Sequence, residues 1–225
     1  MLAAMDGLSV VYADEALLVV DKPSGLLSVP GRGEAGHVNL TVQVQQQFAD
    51  ARVVHRLDQA TSGLMLFARG AAMQRALSMA FAARLVHKQY VAVVHGQVQG
   101  DAGRIDLPLL ADWPNRPRQK VDHENGKPAL THWRVLQRGA DRTLLALEPV
   151  TGRSHQLRVH MQALGHAIVG DALYGRADQA DTRLLLHATQ LSLAHPISQQ
   201  ALLIHSPLPA ALQFQGHELC QSPCT

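Results

Sequence analysis

The sequence predicts an α+β fold built on a largely antiparallel or mixed sheet, and three observations predict it. Short apolar runs of strand character recur along the chain, whereas helical periodicity is clear in only two places. Ala129 to Leu136 and Thr143 to Pro149 form a strand pair around the turn Arg138-Gly139-Ala140-Asp141. The regular strand–helix alternation of a parallel α/β sheet is missing. With 225 residues, 47% of them hydrophobic and 17% charged, the chain is long enough to bury a sizeable core. It contains no internal repeat and no low-complexity linker, so it reads as one domain over residues 1–225.

The elements follow in order. Leu8 to Tyr12 and Leu17 to Val20 are two strand candidates separated by Asp14-Glu15. Lys22-Pro23-Ser24-Gly25 breaks the second, and Pro30-Gly31 opens a polar loop. Gly63 to Ala68 is a further apolar strand. From Gly70 to Leu85 the spacing predicts a helix, because Met73, Leu77, Phe81 and Leu85 recur every fourth residue on one face. Tyr90 to His95 returns to strand character. Between Asp106 and Pro128 four prolines punctuate what reads as a long loop, which also carries Trp113, Arg116, Arg118 and Lys120. One aromatic ring among cations suits contact with an RNA backbone and its bases. Ser154 is placed to cap a helix that runs to Leu164 and stops at Gly165, with Leu157, Met161 and Leu164 on one side.

Composition excludes some functions and leaves others open. The 20 Lys and Arg against 18 Asp and Glu give a net charge of +2, too little to argue for nucleic acid from total charge. Local charge is more informative: between Ala51 and Tyr90, Asp58 is the only acid among Arg52, Arg56, Arg69, Arg75, Arg84 and Lys88. Cys220 and Cys224 sit in the tail without a partner pair at zinc spacing, and the scattered histidines form no HExxH pattern, so no metal site is expected. Residues Met1 to Gly7 lack the features of a secretory leader, and no apolar run is long enough to span a bilayer. A cytoplasmic protein without a membrane partner is the expectation.

The segment with the most chemistry is His55-Arg56-Leu57-Asp58-Gln59-Ala60-Thr61-Ser62-Gly63. A polar cluster here lies between Val53-Val54 and the apolar strand that starts at Leu64. An Asp next to Arg56 and shielded by Leu57 is held ionised while losing hydration, the state of a useful nucleophile or base. A turn Asp that merely satisfies backbone N–H groups fits the same residues.

That segment resembles the catalytic motif of the RluA family of pseudouridine synthases, in which the Asp is essential. Three further blocks occur in the family's order: Asp21-Lys22-Pro23-Ser24-Gly25-Leu26, Lys88-Gln89-Tyr90, and Gly152-Arg153-Ser154-His155-Gln156-Leu157-Arg158-Val159-His160. Together the blocks extend from about Leu8 to about Pro207. The stretches Asp106 to Leu109, Asp112 to Pro117 and Gly126 to Ala129 are most similar to the dual-specificity branch, which acts on 23S ribosomal RNA and on tRNA.

The resemblance implies an isomerase that detaches uracil N1 from ribose C1′, turns the base and rejoins it through C5, with no cofactor. It implies a bent mixed sheet in two halves with a central active-site cleft and no N-terminal S4-type domain; a monomer is the default expectation. Asp58 would act on the nucleotide, as nucleophile at the sugar or as base at C2′. Tyr90 would stack on the uracil and take part in late proton removal. Arg158 would pair with Asp58. Arg56, with its flat guanidinium, would fill the gap left by the flipped base, and Leu157 would provide an apolar wall. Lys88 and the group Trp113, Arg116, Arg118 and Lys120 would bind substrate RNA, while His55 and His155 would give hydrogen-bonding support. The rival from another class is an RNA-binding protein of the same fold that has lost the chemistry. A glycosidic hydrolase is the weaker rival, since it would want a second carboxylate close to the first.

Overall fold

Hydrogen bonding gathers most of the chain into one sheet in a computed structural model that describes residues 7–31, 37–175 and 183–213. The strands in chain order are β1 (Val10–Ala13), β2 (Leu17–Lys22), β3 (Ala51–Val53), β4 (Ser62–Arg69), β5 (His87–His95) and β6 (Ala102–Asp106). They continue with β7 (Leu109–Ala111), β8 (Gln119–Val121), β9 (Leu130–Arg138), β10 (Arg142–Pro149), β11 (Leu186–Ala194) and β12 (Ala201–His205). Among the described residues three α-helices accompany them: α1 (Leu40–Gln47), α2 (Gly70–Ala82) and α3 (Gln156–Ala163). The tail cysteines Cys220 and Cys224 lie outside the described residues.

Ten strands share the main sheet, in the order β1-β2-β4-β11-β5-β10-β9-β6, with β3 added to β4 and β12 added to β11. Every pairing in it is antiparallel except β4 with β11. The mixed, mostly antiparallel α+β sheet expected from the sequence is the sheet observed.

The parallel pairing carries the shape. It joins only His187 to Ser62 and Ala188 to Gly63. Beyond it the two strands part, and each takes a new neighbour on the side it has vacated, β3 for β4 and β12 for β11. The sheet therefore forks at this point. Gly63 makes the close approach possible: its φ is +111°, and a Cβ there would overlap the main chain of Ala188.

Strands near the fork are buried on both faces. Leu18, Val20, Met65 and Phe67 join one core cluster, while Leu17, Val19, Leu64, Leu66 and Ala68 join another. That double burial is why Leu17–Val20 and Leu64–Ala68 read as continuous apolar runs. Helix α2 covers the second cluster through Leu77, with Met73 and Phe81 beside it, and the first receives Leu40 and Val44 of α1 and Leu157 and Met161 of α3.

Three expectations need correction. Helix α2 stops at Ala82, and Leu85 is 62% exposed rather than on the apolar face. The backbone N–H groups of Arg84 and Leu85 return to Phe81 and Ala80 while Arg84 adopts φ +61°, a helix-terminating motif that turns Leu85 outward. Ser154 does not cap α3. His155 holds the cap position in a left-handed conformation without a side-chain cap, and Gln156 ties down the helix start instead. Its Oε1 accepts from Thr151 Oγ1 and Arg153 N, and its Nε2 donates to Leu130 O and Thr131 Oγ1. The stretch from Asp106 to Pro128 is not an unstructured loop: β7 and β8 pair antiparallel within it, bridged by a 3-10 turn at Trp113–Asn115.

Candidate active site

The loop before β4 delivers Asp58 to the wall of a cavity of about 530 Å3. Its walls include Arg56, Leu57, Lys88, Tyr90, His155, Leu157 and Arg158. The fold thus brings together six of the residues singled out from sequence: Asp58, Tyr90, Arg158, Arg56, Leu157 and Lys88. Trp113, Arg116, Arg118 and Lys120 do not line this cavity. They sit on the β7–β8 hairpin, where the Arg116 guanidinium lies 3.1 Å from the centroid of the Trp113 ring and Lys120 pairs with Asp122 at 3.3 Å.

The position of Asp58 is set by the segment Lys22 to Ser28. Ser28 Oγ donates to Leu57 O and accepts from Leu57 N, at 2.6 and 3.2 Å. Gln59 O accepts from Gly25 N and from Lys22 Nζ, and Ser24 Oγ donates to Ala60 O at 2.7 Å. Lys22 is fully buried, and its ammonium also donates to Pro23 O and Leu26 O. Burial pulls this ammonium down to about 8; the charge of Asp58 opposes the fall and that of Arg183 adds to it. At neutral pH Lys22 is therefore a buried cation held against the Asp58 loop.

Arg158 faces Asp58 with 3.7 Å between Nη1 and Oδ2. Its tighter partner is Asp171, reached through Nε at 2.7 Å and Nη2 at 2.6 Å. Burial works against the guanidinium charge, but Asp171 and then Asp58 outweigh it and raise the Arg158 pKa. Asp171 Oδ1 also accepts from Leu173 N and Tyr174 N. The Tyr174 hydroxyl in turn accepts from Gln119 N on β8 and bonds His155 Nδ1 at 2.8 Å. The β7–β8 hairpin is thereby tied to the cleft through Tyr174.

Tyr90 is buried, and its pKa is raised first by burial and then by the charge of Asp58, so its hydroxyl rests protonated. His55 stacks on Phe81 and accepts from Leu66 N through Nε2, and burial together with Lys88 pushes it down to about 3. It is a neutral acceptor. His155 Nε2 lies 4.0 Å from Asp58 Oδ2, and its pKa is also lowered, chiefly by burial.

Sequence reasoning missed Asp171, Tyr174 and a buried chain beneath the fork. Arg183 Nη2 donates to Ser62 Oγ at 2.7 Å, Ser62 Oγ bonds His187 Nδ1 at 2.9 Å, and His187 Nε2 bonds Ser206 Oγ at 3.0 Å. Ser206 Oγ then donates to Asp21. Each link joins segments distant in sequence, so spacing offers no signal. For Asp171 one signal existed: Gly170-Asp171 followed by Tyr174-Gly175 has the composition of an Asx turn.

Asp58, Arg158 and the buried Tyr90 thus line one partly apolar cavity, just ahead of the strand where the sheet forks. The family model for RNA pseudouridylate synthases matches residues 16–163, and the chain belongs to that family. Among its relatives, the dual-specificity RNA pseudouridine synthase RluA of Vibrio vulnificus is 53% identical over 196 residues, covering 84% of this chain and 78% of the relative. The Salmonella typhi protein of the same name is 50% identical over 192 residues, covering 84% and 88%. The solved structure of human RNA Pseudouridylate Synthase Domain Containing 1 superposes with a TM-score of 0.81 at 30% identity, over 98% of this chain and 93% of that one.

Proposed function

We propose that the chain isomerises specific uridines of structured RNA to pseudouridine, with 23S ribosomal RNA and the anticodon stem-loop of tRNA as substrates and Asp58 as the catalytic carboxylate. The observation that carries this reading is that Asp58 lines one cavity with Tyr90 and with Arg158, which faces it at 3.7 Å. The names of the relatives supply the two RNA classes. With the reading go a monomer working in the cytoplasm and a reaction that needs neither metal nor cofactor, since an isomerisation leaves atoms and electrons balanced.

The cavity has to admit a uridine taken out of its stack. Arg56, exposed at the rim, takes the place of the departed base. Leu157 and the ring of Tyr90 provide the apolar walls against which uracil lies. Arg158 faces Asp58 and aims it, and Asp171 keeps Arg158 in place. Asp58 then begins the reaction at C1′ or at C2′. The resting Tyr90 hydroxyl is neutral, so it takes a proton from C5 only once its own proton has an acceptor.

The test is tritium release from RNA carrying 5-tritiated uridine. Asp58→Asn keeps the shape and removes the charge, so RNA binding and melting temperature should persist while turnover vanishes. Multiple turnover by the Asn variant would remove Asp58 from the chemistry. Pseudouridine mapping in a deletion strain against its parent identifies the targets, and no lost position in either RNA class would overturn the substrate assignment.

A further inference from the structure

The far side of β5 carries a second cavity, of about 400 Å3, that the isomerisation itself does not use. Arg84, Lys88, Pro149 and Val150 line it and the catalytic cavity alike, so the two spaces meet around the start of β5. Its floor is a row of polar side chains on adjacent strands. Glu148 of β10 pairs with His132 of β9, Gln190 of β11 pairs with Gln89 of β5, and Gln89 Nε2 donates to Glu148 Oε1 at 3.2 Å. Residues directly opposite one another on paired strands share a face. Gln89 precedes Tyr90 in the strand, so this row lies on the face opposite the uracil wall. Such a row is not core packing: Glu148 and His132 are exposed, and Gln89 and Gln190 are half-buried.

We propose that this cavity is a subsite for a nucleotide flanking the target uridine, and that it prefers guanine. The inference rests on the RNA reading of the catalytic cleft and names a further contact of the same substrate. Arg84 and Lys88 stand at the junction of the two cavities, where a strand passing from one to the other places its phosphate. Arg84 occupies a left-handed position at the end of α2 that glycine usually fills, which fixes where its side chain begins. On the floor, Gln89 engages one oxygen of Glu148, and the carboxylate presents its acceptors to a base edge that donates. The N1–H and 2-amino group of guanine form such an edge, and the amide groups of Gln89 and Gln190 supply a donor for its O6. A uracil or cytosine edge offers this carboxylate fewer donors, and an unpaired base is read on these edges.

The experiment uses full-length protein and an RNA loop that it modifies, with the nucleotides immediately 5′ and 3′ of the target varied through the four bases and an abasic residue. Tritium release gives kcat and KM for each. Guanine at one of the two positions should lower KM on the order of tenfold relative to the abasic RNA, the size of a good hydrogen-bonded base contact. Glu148→Gln should erase that preference, so that the substitution and the missing base together cost no more than either alone. Gln190→Ala, which leaves the carboxylate untouched, should weaken the preference in the same direction and serves as the second variant. Equal KM for all flanking residues would overturn the subsite while leaving the function intact, as would a guanine preference that survives Glu148→Gln. Absence of tritium release by the unaltered protein from every RNA would overturn the function and the subsite together.

Discussion

Arg158 is shared between two carboxylates, and the sharing is unequal: a two-pronged contact to Asp171 at 2.6 and 2.7 Å, and a longer approach to Asp58 at 3.7 Å. Asp171 therefore sets the orientation of the guanidinium, and Asp58 feels its charge. Removing the Asp171 charge leaves a buried arginine without its main partner, a loss of about 3–5 kcal/mol for pairs of this kind. Asp171→Asn should lower the melting temperature and also reduce kcat more than KM, with single-turnover tritium release as the measurement. A variant that melts early but turns over normally would make Asp171 a purely structural partner. At this scale the sequence was legible where a short string holds several groups together, as with Arg56, Leu57 and Asp58 or with Leu157 and Arg158. Asp171 and Tyr174 were not legible, because their roles come from contacts across the fold: Tyr174 reaches both His155 and Gln119.

Among the elements, the segment from Lys22 to Ser28 acts as a splint for the Asp58 loop, and its buried ammonium makes the splint sensitive to pH. The Lys22 value of about 8 lies below the ordinary 10.5. A lysine depressed in the fold is destabilising while charged, so this group alone makes the fold gain stability as pH rises from about 8 toward 10.5. Activity should move the other way. A neutral Lys22 grips Gln59 O less firmly and no longer attracts Asp58, so kcat should fall above about pH 8 while the melting temperature does not fall with it. In Lys22→Met the alkaline limb should be missing from a lower, flat profile. An unchanged limb in that variant would assign it to another group.

The hairpin of β7 and β8 is the second element with a consequence. Arg116, Arg118 and Lys120 changed together to Ala should flatten the salt dependence of RNA binding by a slope of about 2 to 3, one part for each phosphate no longer neutralised. Lys120 should account for the smallest part, because Asp122 already holds it. An unchanged slope would leave the hairpin without a phosphate-binding role. The prolines of this stretch were legible as breaks, but its strands were not. Each is three residues long, too short for a period to register.

In the whole molecule, everything depends on the fork, where two residue pairs of β4 and β11 join the halves of the sheet. Gly63→Ala adds a methyl group that meets the Ala188 main chain, at a φ of +111° that side chains rarely adopt. It should lower stability by roughly 3 kcal/mol or more, and denaturant unfolding followed by circular dichroism would measure it. A loss under about 1 kcal/mol would mean that the strands part more easily than their contact implies. The fold class was legible from strand-like runs and the scarcity of helical periods, but the fork was not, since a parallel contact between residues more than a hundred positions apart leaves no local trace. The same architecture divides the two tryptophans of the chain. Trp133 is packed against Gly103 in the body of the sheet, whereas Trp113 is 66% exposed on the hairpin beneath its arginine. The protein thus carries a built-in optical pair: the emission of Trp113 is open to collisional quenchers and to bases stacking from RNA, while that of Trp133 is shielded and serves as the internal reference.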